Sequence, residues 1–349
     1  MKTVGRDEIP PILLAHIRQD FIPPYRIAMP KKDPVVDGLA KLAALRGVED
    51  RAALADGLAP LLNDRTGYVV TRVANLAAER GVREVVPNLI ARLEKFIRDP
   101  KSNDSGCEAS LAIVRALIAL EAGYDAEAVA VAATRYVRWE PVYGGSVDSA
   151  VSVRGNAAIL LASMGSTQAV RCAVELLATG DSAGPREAAN WAARADAARA
   201  LTMVGSDAAA AVLRFKLLID DSDSNVLADC LTGLLSIERD AAIPLAVEML
   251  TGDESARAEA ALLALGGWRD ARSFTLLHDH ADRFLTSGSR DLFLAAIAMT
   301  RQAAAIDYLL DLIPQAAPKL RDAVVAALEP LRPLPGIADR IDAAVKEAK

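Results

Sequence analysis

The chain has 349 residues, and 52% of them are hydrophobic although only 4% are aromatic. That apolar content is mostly Ala, Leu and Val, which builds closely packed helices and lacks the aromatic and β-branched runs of a β-protein. The formal net charge of −6 argues against a nucleic-acid binder, which normally carries a basic footprint. The charge is uneven: it is about −8 from Asp220 to the C-terminus and about +2 before it.

Along the chain, residues 1–32 read as a Pro-rich arm with one short helix, about Pro11 to Asp20, broken by Pro10-Pro11, Pro23-Pro24 and Pro30. Met1 to Pro11 has no apolar core of the kind a signal peptide needs, and no apolar run approaches a membrane span. Those features lead to the expectation of a cytoplasmic protein without a membrane segment.

From residue 33 to 349 one marker recurs: an apolar helix ends in Gly or a polar turn, and a second helix follows. It occurs at Arg46-Gly47, Arg80-Gly81, Ala122-Gly123, Met164-Gly165, Val204-Gly205 and Gly266-Gly267. Weaker copies lie at Arg239-Asp240 and Arg301-Gln302, and Pro335-Gly336 closes the series. The interval of about 30 to 42 residues is that of a helical solenoid. Gly supplies the positive φ of a helix C-cap, and a following Asp, Ser or Thr caps the next helix. Ala258, Ala261, Leu262 and Leu265 occupy one face of a helix. Pro87 and Pro244 sit at the starts of second helices, where a missing N–H costs little. Second helices close with acid, as at Asp64, Asp99, Asp181, Asp220-Asp221 and Asp253-Glu254. The first helices that follow open with Arg154, Arg186 or Arg257.

The runs Arg239 to Leu250, Gly252 to Arg257 and Ala260 to Leu262, together with Val82 to Asp99, resemble the HEAT-repeat pattern, most closely the short HEAT-like repeats of phycobilisome-lyase-type proteins. The resemblance implies an all-α fold: an α-solenoid, a right-handed superhelix of about nine antiparallel helix pairs, with second helices on the concave side. It specifies architecture and carries no functional residue across.

Candidate sites are few. Asp99 to Gly106 reads as a polar loop, and Trp139 to Asp148 as the longest interior loop, projecting from an edge of the array. Arg135, Arg138, Trp139 and Tyr143 gather there, residue types enriched in interface hot spots. Trp191 and Arg194, with Asp196, supply the residue types of an alkylpurine DNA glycosylase groove. Their Ala-rich helix reads more simply as packing, with Trp191 in the core or a groove. Lys95, Arg98 and Lys101 form a basic patch that reads as a solvated face. His278 and His280 are two residues apart, the wrong spacing for a shared metal on a helix. No His-Glu dipeptide and no nucleotide-binding glycine loop occurs. Cys107, Cys172 and Cys230 lack CxxC spacing and read as small buried residues. No metal or cofactor is implied.

The expectation is a non-enzymatic scaffold that binds a protein through the concave groove or through the Trp139–Tyr143 edge. Its tentative contacts are Arg135, Arg138, Trp139, Tyr143, Trp191 and Arg194. The alternatives are a HEAT-like enzyme, of bilin-lyase or glycosylase type, and an assembly factor that self-associates through its uneven charge.

Overall fold

The computed structural model describes residues 34–99, 102–179, 190–253 and 255–348. The Pro-rich arm, Lys101, Asp181, Arg186 and Glu254 lie outside the described residues. The rest is an all-α solenoid of consecutive helical hairpins. In chain order the pairs are α1 (Pro34–Leu45) with α2 (Arg51–Leu61), α3 (Gly67–Glu79) with α4 (Val86–Arg98), and α5 (Glu108–Ala119) with α6 (Glu127–Ala133). A hairpin of β1 (Trp139–Val142) and β2 (Gly145–Asp148) intervenes. Then come α7 (Val151–Ser163) with α8 (Ala169–Leu177), α9 (Trp191–Val204) with α10 (Asp207–Ile219), and α11 (Ser224–Ile237) with α12 (Ile243–Thr251). The seventh pair is α13 (Ser255–Gly267) with the broken second helix α14 (Arg272–His278) and α15 (Ala281–Leu285). The last are α16 (Arg290–Thr300) with α17 (Ala303–Gln315), and α18 (Pro318–Leu328) with α19 (Ile337–Glu347). Nine pairs are thus formed among the described residues.

The first helices stack directly, α3 on α5, α7, α9, α11, α13, α16 and α18 in turn. Small residues let them approach closely at particular points. Gly266 is one place where nothing larger fits, since a Cβ there would lie 2.9 Å from both Cα and O of Ala296 on α16. Gly266→Val is therefore expected to destabilise the array by roughly 1–3 kcal/mol through overpacking. An unchanged thermal melt would show that α13 and α16 can separate freely.

The turn markers are left-handed caps at some turns and not at others: Gly47, Gly123 and Gly267 do not take positive φ, and at the Gly123 turn Glu121 is left-handed instead. Gly81, Gly165, Gly205 and Gly336 all have φ between 63° and 74°. The weaker markers are left-handed as well, but with Arg239 at φ 46° and Arg301 at φ 56°, where glycine would be cheaper. Pro87 and Pro244 stand in the first turns of α4 and α12. Ser206 caps α10 by accepting from the Ala209 N–H, and Asp50 caps α2. The buried Asp104 accepts from the Ala109 and Ser110 N–H groups at 2.8 and 3.0 Å, capping α5.

Arginines tie each repeat to its neighbour across intervals of the repeat length. Arg51 meets Glu84, Arg83 meets Glu121, and Arg272 bonds Asp240 at 2.6 Å. The acid-then-arginine pattern also closes in space, with Arg257 3.8 Å from Asp220 and donating to Leu217 O at 2.8 Å. No helix among the described residues is long and apolar enough to cross a membrane.

Candidate functional site

The segment Trp139 to Asp148, read from sequence as an irregular loop, is a β-hairpin. Trp139 pairs with Asp148, and Val142 with Gly145, across the turn residues Tyr143 and Gly144. Gly144 takes φ 86°, which the tight turn requires. Two strands alone are marginally stable, so the hairpin depends on its anchors. Arg138 is the main one: its guanidinium donates to Ser102 Oγ at 3.1 Å, Ser102 O at 3.0 Å and Glu140 Oε1 at 3.1 Å. Glu140 in turn accepts from the Gly106 N–H at 2.8 Å. Arg138 is accordingly a half-buried strut between the hairpin and the loop before α5, not the solvated contact expected of it.

Behind the hairpin lies a cleft of about 460 Å³, bounded by the end of α6, the hairpin, α8 and the start of α9. Its floor is built on Arg154, which reaches three elements at once. It donates to Tyr136 O at 2.9 Å, to Asp148 Oδ2 at 2.5 Å and to Asn190 Oδ1 at 2.8 Å. The Arg154–Asp148 pair is almost fully buried. At the rim, Arg135 clasps Glu175 with one edge of its guanidinium, Nε and a terminal nitrogen donating to the two carboxylate oxygens at 2.8–3.0 Å. The Arg135 hydrogen bonds hold the Glu175 carboxyl below its usual range, and Arg171 adds to this. Trp139, Val137 and Leu176 supply the apolar wall.

Both faces of the hairpin carry exposed apolar side chains, Trp139 lying on the face opposite Val142 and Val147. Trp139 is 54% exposed, Tyr143 is fully exposed, and Val137, Val142 and Val147 are also exposed. Apolar residues gathered in this way mark interaction surfaces. The structure thus brings Arg135, Trp139 and Tyr143 to one region.

The other two tentative contacts fall elsewhere. Trp191 opens α9 beside Asn190 and is 40% exposed, so it is not the packed residue its helix suggested, and it does not line the cleft. Arg194 is 1% exposed and points into the core, donating to Asp221 from Nε and a terminal nitrogen, both at 2.8 Å. It serves packing and is out of a partner's reach. Trp191 and Arg194 therefore form no common groove of the glycosylase kind.

Sequence reasoning missed Arg154, Asp148, Glu175 and Asn190 as cleft residues. Arg135 and Glu175 are one repeat interval apart, a signal that could have paired them. It also passed over Phe215, Leu218 and Ile219 on α10, which are exposed. The three cysteines are buried as expected, and burial pushes the Cys107 and Cys230 thiols up. His278 stacks edge-on against Tyr308, with ring centroids 4.8 Å apart.

No family model matches the sequence, and no curated protein matches it. Among solved structures it is similar to the complex of CpcE and CpcF of phycocyanin lyase from Nostoc sp. PCC7120, at 17% identity, covering 79% of this chain and 94% of that chain, with a TM-score of 0.44. The likeness is one of helical-repeat architecture, and no residue role comes across with it. That complex is a lyase, and the expectation that the present chain is not an enzyme is withdrawn on that finding.

Proposed function

We propose that the chain is a repeat subunit that recognises a protein, with the β-hairpin as its contact edge and the cleft behind it as the receiving pocket. The observation that carries this reading is the hairpin itself: Trp139 at its base and Tyr143 at its tip are exposed, on strands anchored by the half-buried Arg138–Glu140 pair and the buried Arg154–Asp148 pair. Rigid aromatic anchors lose little conformational entropy on binding, which is why they dominate interface energetics. The cleft has depth for a side chain of the partner, and the Arg135–Glu175 pair at its rim offers polar contacts of both signs.

Replacing Trp139 and Tyr143 together with alanine is expected to leave helicity intact, because neither side chain is buried. Partner capture should fall by about 2 kcal/mol or more, the range of a hot-spot truncation. Capture by the double variant at wild-type level would remove the hairpin from the interface.

A second reading is a HEAT-like lyase-type enzyme, and it is favoured by the size of the cleft. About 460 Å³ lies within the range of small-molecule sites. On that reading the cleft would hold a small organic group while the hairpin held the protein that carries it. The two readings separate by absorbance: a chromophore that co-purifies with the wild type and is lost on Trp139→Ala supports the lyase reading.

A further inference from the structure

A second groove lies far along the array, among α13, α16 and α18. It has a volume of about 380 Å³, and its floor is aliphatic: Ala298, Met299, Ala327 and Leu331. Arg269 and Arg301 stand on its walls. Both are exposed, and neither guanidinium makes a hydrogen bond or an ion pair among the described residues. Past Gly267 and Arg269 the groove continues into a shallower hollow that Arg239 lines. Arg239 lies near enough to Asp270 to help hold its carboxyl low, but it makes no ion pair.

This placement is unusual for the molecule. Most other arginines are engaged, as in Arg272 with Asp240 and Asp270, Arg214 with Glu238, and Arg332 with Glu329 and Asp342. The surrounding half of the chain is acidic, at about −8. Three arginines at equivalent turns of successive repeats nevertheless make no ion pair among the described residues, and two of them occupy left-handed positions that suit glycine. Two acids along the track, Asp270 and Asp240, are already held by Arg272.

We infer that this groove docks an acidic, apolar-faced segment of a partner protein. Aliphatic side chains of the segment fill the Ala298–Met299–Leu331 floor, and its carboxylates meet Arg269 and Arg301, with Arg239 extending the track. Guanidinium–carboxylate pairs give such a site its direction, and the apolar floor gives it affinity. Nucleic acid fits less well. The floor offers no exposed aromatic ring for a base, since Trp268 is buried with Arg272 over its ring at 5.2 Å. A long polyanion would also meet the acidic surface on either side of the arginines. A short segment with a few carboxylates meets only the arginines.

The test selects a displayed library of random peptides of about twelve residues against the full chain. Binding of the enriched peptides is then measured against wild type and against Arg269→Ala with Arg301→Asn. Asn tolerates the left-handed backbone at 301, and both positions are exposed, so the fold is retained. The expected result is enrichment of peptides that combine Asp or Glu with Leu, Ile or Met. Their affinity should fall about tenfold or more in the variant and with Glu→Gln peptides. Neutral or basic winners, equal binding to the variant, or no enrichment would overturn the inference. Stronger binding of an oligothymidylate of about twenty nucleotides than of any peptide would do the same. So would wild-type self-association that the variant abolishes, since it would put a second copy of the chain in the groove. Only peptides that bind the Trp139→Ala, Tyr143→Ala double variant as well as wild type are scored, so this inference and the proposed function fail separately.

Discussion

Asp221→Asn is expected to cost the folded chain about 3–5 kcal/mol, the range for breaking a buried ion pair from one side. Asp221 is fully buried between two cations. Arg194 grips it through two hydrogen bonds of 2.8 Å, and Lys216 Nζ lies 2.8 Å from the same carboxylate. The Asp223 N–H adds a fourth hydrogen bond at 3.0 Å. Asparagine keeps the shape but removes the negative charge that the nearly buried Arg194 and Lys216 share.

The same cluster fixes a pH dependence. Burial pushes the Asp221 carboxyl up, but the hydrogen bonds from Arg194, Lys216 and Asp223 more than offset this, and the group sits below its ordinary value. A carboxylate depressed in the folded state contributes stability in full above the unfolded value of about 3.9, and loses it as pH falls through the folded value. Wild type and Asp221→Asn should therefore differ most at neutral pH and converge below about pH 4. Urea titrations at several pH values check this, and a gap that widens in acid would contradict it.

The second large effect is expected at Leu262, in the middle of α13 and completely buried. Its side chain belongs to the continuous apolar core that the stacked first helices share. Leu262→Asp removes an aliphatic group and inserts a carboxylate with no partner, at a cost of several kcal/mol. Because each repeat is stabilised by its neighbours, the damage should spread beyond the seventh pair. Circular dichroism should show an early loss of helix ahead of the main melt, or no folded chain at all. Melting like that of the wild type would mean that Leu262 is not where the structure places it.

Much of the fold was legible because each repeat carries its own punctuation. Gly81, Gly165 and Gly205 mark real left-handed caps, and the Ala258–Leu265 spacing marks a real buried face. Even the weak markers at Arg239 and Arg301 are caps. The hairpin was not legible. Pro141, Gly144 and Gly145 crowd its short strands, and the pairing depends on anchors such as Ser102 that are distant in sequence.

The candidate site was half legible for a related reason. Trp139 and Tyr143 announce an exposed edge by their residue type. Arg154 and Asn190 become neighbours only when successive repeats stack. Arg194 was misread because an arginine in an Ala-rich helix looks solvated until Asp221, 27 residues later, is seen beside it. The closing acids Asp220-Asp221 were visible in the sequence, but their partners were not.

The central claim is that the hairpin edge touches a partner protein, and site-specific photocrosslinking tests it most directly. A photoreactive amino acid placed at the fully exposed Tyr143 is compared with one at Glu248, an exposed position on α12 away from the hairpin. The account predicts a single protein adduct from position 143, absent from position 248 and suppressed by Trp139→Ala. No adduct at 143, or the same adducts from both positions, would contradict it.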